Sequence, residues 1–267
     1  MSLRIQNNVE AFNAHRQLAG TSAGMAKSME RLSSGYRINR AADDAAGLAI
    51  SEKLRGQISG LDQASRNAQD AVSLVQTAEG SLSEVHSMLQ RVRELAVQYK
   101  NGTLSSSDQT AIQSEVNQLA SEIERIGSSA QFNGIHLLNS SNTLSFQIGA
   151  NDAQVITVAT ISLGSSATPT TTFDLTSSVA IANIDSAIDS VSAQRATFGA
   201  VQNRLEHTMN DLATYHENLV SSESRIRDVD MAAEMVTFTK YQILQQAGTS
   251  MLAQANQSSQ SVLSLLR

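Results

Sequence analysis

The sequence predicts a mainly α protein: a long antiparallel helical bundle or coiled coil with a small β-hairpin, its N- and C-terminal helices paired. Three observations predict it. Apolar residues from Leu61 to Ala96 repeat in spacings of three and four without a miss, the pattern of a seam wound around other helices. One proline in 267 residues leaves room for very long helices, because proline breaks them. Between residues 144 and 158 the period changes to two, with β-branched residues, which is the spacing of strands. Aromatics are only 4% and tryptophan is absent, so the core must be built mainly from aliphatic side chains and alanine.

The first element is an amphipathic N-terminal helix, because Ile5, Val9, Phe12, Ala19, Ala23 and Ala26 keep the three-four spacing. Asp43 and Asp44 stand side by side before the long apolar seam, where acids favour the positive end of a starting helix. That helix is expected from near Asp44 to near Lys100, about 80 Å at ~1.5 Å per residue. "NGTLSSSDQ" then breaks it. Gly102 suits a helix C-terminus, and Ser106 followed by Gln109 suits a capping box for the next helix. Ile112, Val116, Leu119, Ile123 and Ile126 carry that helix to near Gly127. The short connection favours an antiparallel pair.

Leu144, Phe146 and Ile148 alternate, "GAND" follows, and "QVITVAT" resumes, so a hairpin is expected near 142–160, turned at Gly149 to Asp152. Residues 160–178 are rich in Ser and Thr and hold the single proline, Pro169; an exposed loop is expected there. Helical spacing returns at Ile181, Ile184, Ile188, Val191, Phe198, Leu205, Met209, Leu212 and Leu219, with Arg195, Gln202 and His216 on the same seam. Those polar positions either set register or edge on solvent, or they meet a neighbouring molecule.

The tail raises a separate question. From Tyr241 to Leu266 there is no charged side chain. Leu244, Met251, Ala255, Val262 and Leu265 lie on or near one apolar stripe among Gln, Ser, Asn and Thr. A solvent-facing helix is normally laced with charge, whereas a helix packed on all sides cannot hold isolated charges cheaply. Such a tail suits a crowded protein assembly. The expectation is that both ends pair with each other and become buried between copies of the chain. The expected domains are 1–43 with 226–267 for the paired ends, and 44–225 for a helical rod carrying the hairpin and loop.

No motif marks a catalytic centre, and no enzyme is expected. "GTSAG" at Gly20–Gly24 fits the letters of a nucleophile elbow, but that motif needs a strand before its Ser, and Ser22 lies in a helical pattern. The five histidines, His15, His86, His136, His207 and His216, make no zinc-protease spacing. Phosphate-binding and dinucleotide fingerprints are absent, so no cofactor and no metal are expected. Zero cysteines exclude disulfides and thiolate chemistry without fixing a compartment. A net charge of −6 gives no reason to expect nucleic acid. No apolar run approaches the ~20 residues of a membrane helix, so no membrane insertion is expected. Arg4, Glu10 and Arg16 interrupt the start, so a cleaved signal peptide is not expected. "NGT" at Asn101 and "NSS" at Asn139 fit a short glycosylation pattern that carries little weight.

With those elements in place, longer stretches resemble bacterial flagellin. "MERLSSGYRINRAADDAAGLAISEKLRGQ" (29–57) is similar to that family's N-terminal signature, and "LQRVRELAVQ" (89–98) to its core helix. "QFNGIHLL" and "FQIGAND" are similar to the segments around its hairpin, and "ILQQAGTSMLAQANQ" with "VLSLLR" to its C-terminus. The resemblance covers nearly all the chain outside about 160–178. It implies a minimal flagellin without outer variable domains, exported by the flagellar secretion apparatus without a cleaved signal. Such a chain polymerises outside the cell into the filament used for swimming. The terminal helices would line the inner tube, so Ile5, Val9, Phe12, Leu244, Met251, Leu252, Ala255, Val262, Leu263, Leu265 and Leu266 are the expected polymerisation residues. The implied partners are copies of itself, a filament cap, the hook junction protein and an export chaperone at the C-terminal helix. The resemblance further implies a contact for Toll-like receptor 5 at Gln90, Arg91, Glu94, Leu95, Gln98 and Glu115. The alternative role is a hook–filament junction protein; an enzyme or adhesin displayed on a filament would need a sizeable inserted domain.

Overall fold

The computed structural model describes residues 8–139, 142–160, 162–163, 173–177 and 180–264, with the side chains of 258–264 set aside. Among these residues five helices and four short strands follow in the order α1 (Val9–Ser34), α2 (Ala45–Tyr99), α3 (Ser106–Ser129), β1 (Gln131–Phe132), β2 (Ile135–His136), β3 (Thr143–Gln147), β4 (Val155–Ala159), α4 (Ala180–Arg227) and α5 (Met231–Ser264). Two compact units result: Met1–Gly56 with Asn218–Arg267, and Gln57–Glu217. The division falls inside α2 and α4, deeper than the 43/44 and 225/226 boundaries expected from the sequence.

Each helix start has a local cause. The Asn8 side chain accepts from Ala11 N–H at 3.0 Å and caps α1. Asp44 Oδ1 accepts from Gly47 N–H at 2.8 Å at the head of α2. Asp230 Oδ1 accepts from the N–H groups of Ala232 and Ala233 at the head of α5. These side chains satisfy donors that the first helical turn leaves free. Gly35 ends α1 in the left-handed region, φ 76°, and donates to the Arg31 carbonyl, a termination that favours glycine. The capping box of α3 lies one residue earlier than expected. It joins Ser105 and Asp108, because a carboxylate three places on can accept the Ser105 N–H, here at 3.1 Å. Gly102 does not terminate α2, which ends at Tyr99, and it has no positive φ.

The middle unit holds a continuous core. The α2 seam from Ala68 to Ala96 packs with Ile112, Val116, Ala120 and Ile123 of α3 and with Ile184, Ala187, Val191, Phe198 and Leu205 of α4. Register is legible in the ion pairs. Arg93 meets Asp185 at 2.6 Å, Glu79 meets Arg195 at 3.7 Å, and Asp62 meets His216 at 3.1 Å. The partner number rises on α4 as it falls on α2, so the two helices run antiparallel. Arg195 and His216 therefore face α2 within the same unit, whereas Gln202 bonds to Glu206 on its own exposed helix face.

β3 and β4 pair antiparallel with Thr143 opposite Ala159 and Gln147 opposite Val155. Ile156 and Val158 point into the core, as period-two alternation requires. Ala153, not a glycine, takes the positive φ of 65° in the turn. Gly149 is needed for proximity instead, since a Cβ there would overlap the Gln154 side chain. A second, miniature hairpin pairs β1 with β2. Asn133 (φ 48°) and Gly134 (φ 78°) make its turn, the Asn-Gly signature of a tight hairpin.

The segment expected as an exposed loop is exposed only in part where it is described: Asp174 and Thr176 are exposed, but its apolar side chains are not. Thr160, Leu163, Phe173 and Leu175 are buried. The cause is specific: the Gln113 side chain on α3 donates to the Phe173 carbonyl at 2.8 Å and accepts from Leu175 N–H at 3.1 Å. One amide thus meets two backbone groups and seats two large apolar side chains in the core. Pro169 lies outside the described residues.

In the terminal unit α1 and α5 pack along each other. Their two ends are joined by a short backbone bridge. Arg37 N–H donates to the Arg227 carbonyl at 2.6 Å and Val229 N–H to that of Gly35 at 3.0 Å. The Arg227 guanidinium lies 4.6 Å from the Tyr36 ring centroid and 2.9 Å from Glu52.

Candidate functional site

The α1–α5 pair is a ladder of close contacts in antiparallel register. Asn8 Nδ2 donates to the Ala255 carbonyl at 2.9 Å. Leu18 lies over Gly248, and Gly24 lies under the Tyr241 ring, where a Cβ would come within 2.7 Å of the ring. Arg31 pairs with Glu234 at 3.6 Å. Glycine in a helix interior weakens the helix; at Gly24 and Gly248 it lets the two helices approach. This settles "GTSAG" as a packing motif, with Ser22 exposed in mid-helix. Asp43 tightens the adjoining loop: it accepts from the N–H groups of Asn39 and Arg40 and pairs with Lys27 at 2.6 Å. The Lys27 bond, followed by the backbone donors, holds its carboxyl at about 2.

The pair buries little. Among the described residues of this unit only Ser28, Ile38, Gly47, Ser51 and Leu219 are buried. Large apolar side chains stand in solvent instead: Phe12 is 70% exposed, Val236 71% and Met251 65%. A groove of about 770 Å³ runs between the helices, lined by Asn13, Gln17, Leu18, Leu244, Met251 and Gln254 among others. Two helices with so much apolar surface exposed are marginal on their own, and patches of this kind mark interaction sites.

Of the expected polymerisation residues, Val9, Phe12, Leu244 and Met251 are exposed. Leu252 and Ala255 are half-buried. Ile5, Leu265 and Leu266, and the side chains of Val262 and Leu263, lie outside the described residues. Sequence reasoning missed Met29, Met231, Met235, Val236 and Ile243, all exposed. They fall off the single stripe traced by period, and only their apolar character in a helix already served by its partner would have found them.

A second cluster sits on the middle unit. Gln90, Arg91, Glu94 and Gln98 share the exposed side of α2, and Glu115 faces them from α3. Arg91 donates to Glu115 through Nε at 3.1 Å and Nη2 at 2.9 Å, and to Glu94 at 3.3 Å. Glu115 first, then Glu94, raise the Arg91 pKa further above its ordinary value. Leu95 does not belong to this surface. It is 2% exposed and part of the core, because it extends the apolar face that carries Val92 and Ala96. Among the described residues no group of His, Asp and Glu could hold a metal ion, and no helix is long and apolar enough to cross a membrane.

Comparison with known proteins gives consistent matches. The family profile "Bacterial flagellin N-terminal helical region" matches residues 5–143, and "Bacterial flagellin C-terminal helical region" matches 181–266. The chain is 53% identical to a flagellin of Halalkalibacterium halodurans, over 98% of this chain and 99% of that one. It is 47% identical to a flagellin of Bacillus subtilis, over 99% and 100%. It is 49% identical to the flagellar filament 33 kDa core protein of Treponema phagedenis, over 98% and 99%. The crystal structure of Bacillus cereus flagellin superposes with a TM-score of 0.50 at 33% identity, covering 55% of this chain and 88% of that one.

Proposed function

This chain belongs to the bacterial flagellin family, and from that premise we propose that it polymerises through its paired ends into the flagellar filament. Its role is structural: it is the extracellular material of a swimming organelle, not a catalyst. One observation carries the reading. The α1–α5 pair keeps side chains such as Phe12, Val236 and Met251 in solvent, on a tail with no charge from Tyr241 to Leu266. Apolar area left open in a monomer is driving force for association, at about 25 cal/mol per Å² buried. Uncharged amides and hydroxyls can be buried beside it when they find partners.

The other partners follow from the same chemistry. An export chaperone would shield the C-terminal helix before assembly, and the filament cap and hook junction protein would meet the same ends at the two tips of the polymer. Export would proceed through the flagellar secretion apparatus without a cleaved signal. The hook–filament junction role is not favoured, since the relatives matched along their full length are flagellins and filament core proteins.

Electron microscopy of the purified chain after addition of a precipitant salt tests the proposal. Long tubular filaments are expected; short stubs or amorphous aggregate overturn it. Amide exchange gives a second readout, with α1 and α5 exchanging fast in the monomer and protected in the polymer.

A second reading concerns the Arg91 cluster. Gln90, Arg91, Glu94, Gln98 and Glu115 form one exposed surface fixed by the Arg91–Glu115 bonds, and this surface is the proposed contact of the monomer with Toll-like receptor 5. Arg91→Ala with Glu115→Ala should reduce receptor signalling while the fold is kept; unchanged signalling removes the assignment.

A further inference from the structure

The exposed methionines fall in one unit. Among the described residues Met88 and Met209 are partly buried against the core of the middle unit, and Met25 of α1 is half-buried. Met29, Met231, Met235 and Met251 all belong to the terminal unit and are 56%, 48%, 50% and 65% exposed. Met231 and Met235 lie one turn apart at the start of α5, next to the exposed Val236. Met251 lines the groove between α1 and α5 beside Leu244 and Gly248. Four solvent-accessible thioethers therefore sit on the unit that has most apolar surface left to cover.

We propose that Met29, Met231, Met235 and Met251 form an oxidant-sensitive modification site, and that their conversion to sulfoxides by a peroxide switches off self-assembly of the free subunit. The inference rests on the reading that this unit is covered by other copies. The step is an oxygen-atom transfer. A sulfur lone pair attacks one oxygen of hydrogen peroxide, the S–O bond forms, the O–O bond breaks, and water leaves after proton transfer. Sulfur loses two electrons and the peroxide gains them. The product is a polar, chiral group in place of a flexible apolar one. On the free chain it costs little, because the side chain is already in water. Between copies its oxygen must be buried, and an acceptor buried without a donor is unfavourable. The fold of the monomer survives while assembly does not, and reduction of the sulfoxides restores it.

The test uses the full chain as monomer, treated with graded hydrogen peroxide and mapped by peptide mass. Sulfoxides are expected at Met29, Met231, Met235 and Met251 before Met25, Met88 and Met209, with circular dichroism unchanged. Salt-induced polymerisation of the oxidised chain, read by sedimentation, should need about tenfold more protein, the change expected when one polar group is buried unpaired. Methionine sulfoxide reductases of both epimer specificities, with dithiothreitol, should restore it. The variant Met29→Leu, Met231→Leu, Met235→Leu, Met251→Leu should assemble with or without peroxide. Oxidised chain that assembles as readily as untreated chain overturns the proposal, as does a leucine variant that stays peroxide-sensitive. Should that variant fail to assemble, the reductase arm decides alone: no recovery overturns the proposal. Untreated chain that forms no filaments would overturn the filament reading itself, a distinguishable result.

Discussion

The two units use the same material, long helices rich in Ala, Ser and Gln, and reach opposite ends. The middle unit spends its apolar residues on itself: α2, α3 and α4 close over a core that includes Phe198, Leu82 and Leu89, all essentially inaccessible. The terminal unit leaves large apolar residues uncovered, with Phe12, Val236 and Met251 mostly in solvent. The number of helices makes the difference. Three helices and a hairpin surround each apolar seam of the middle unit, whereas α1 and α5 each cover only one face of the other. A pair cannot enclose a core, so much of its apolar surface stays in solvent. Charge divides as well. The middle unit carries 16 acidic against 7 basic residues, and the terminal unit 9 against 12.

The sharpest way to break this comparison is to remove one side of it. A chain lacking residues 1–34 and 231–267 should form no filaments at all under salt, while the thermal unfolding of its middle unit stays close to that of the full chain. Filaments from such a chain would end the contrast between the units.

Paired substitutions of one residue type come next. Phe198→Ala removes a ring that is 1% exposed, and urea unfolding should show a loss of about 3–5 kcal/mol. Phe12→Ala removes one that is 70% exposed, so monomer stability should stay within about 0.5 kcal/mol while the protein concentration needed for polymerisation rises. Equal losses of monomer stability would contradict the division.

A smaller effect tests how the middle unit closes. Gln113→Ala should cost about 1–3 kcal/mol, because the Leu175 N–H and the Phe173 carbonyl lose their partner. Amide exchange at 173–175 should rise more than along α3. Ser105→Ala should cost about 1 kcal/mol through loss of the α3 cap.

The smallest effect belongs to the terminal unit and depends on pH. The Asp43 carboxyl sits at about 2 in the folded chain against an ordinary 3.8. A depressed carboxyl stabilises the fold above its unfolded value and stops doing so once protonated in the fold. The gap in unfolding midpoint between the native chain and Asp43→Asn should therefore be full at pH 5, shrink below about 4, be mostly lost at pH 2 and vanish below it. A gap undiminished at pH 2 would separate the effect from the Lys27 pair.

Much of this architecture is legible in the chain itself. The three-four rhythm from Leu61 to Ala96 needs only the helical period to place one face inward, and the alternation of Leu144 with Phe146 needs only the strand period. The pairing of the ends is legible because both carry an apolar stripe at helical spacing, and the charge-free tail can be buried at low cost. The Asn133-Gly134 turn has a local signature too, but its strands are only two residues each and show no period. What the chain alone does not decide is which neighbour each residue meets. Leu95 reads as a surface residue within "LQRVRELAVQ", yet the fold turns it inward. Phe173 and Leu175 read as part of a polar loop, and Gln113, some sixty positions away, draws them into the core. Period is a local property of the backbone and can be counted along the chain. Burial depends on what other segments cover a side chain, and those segments are brought together only by the tertiary fold.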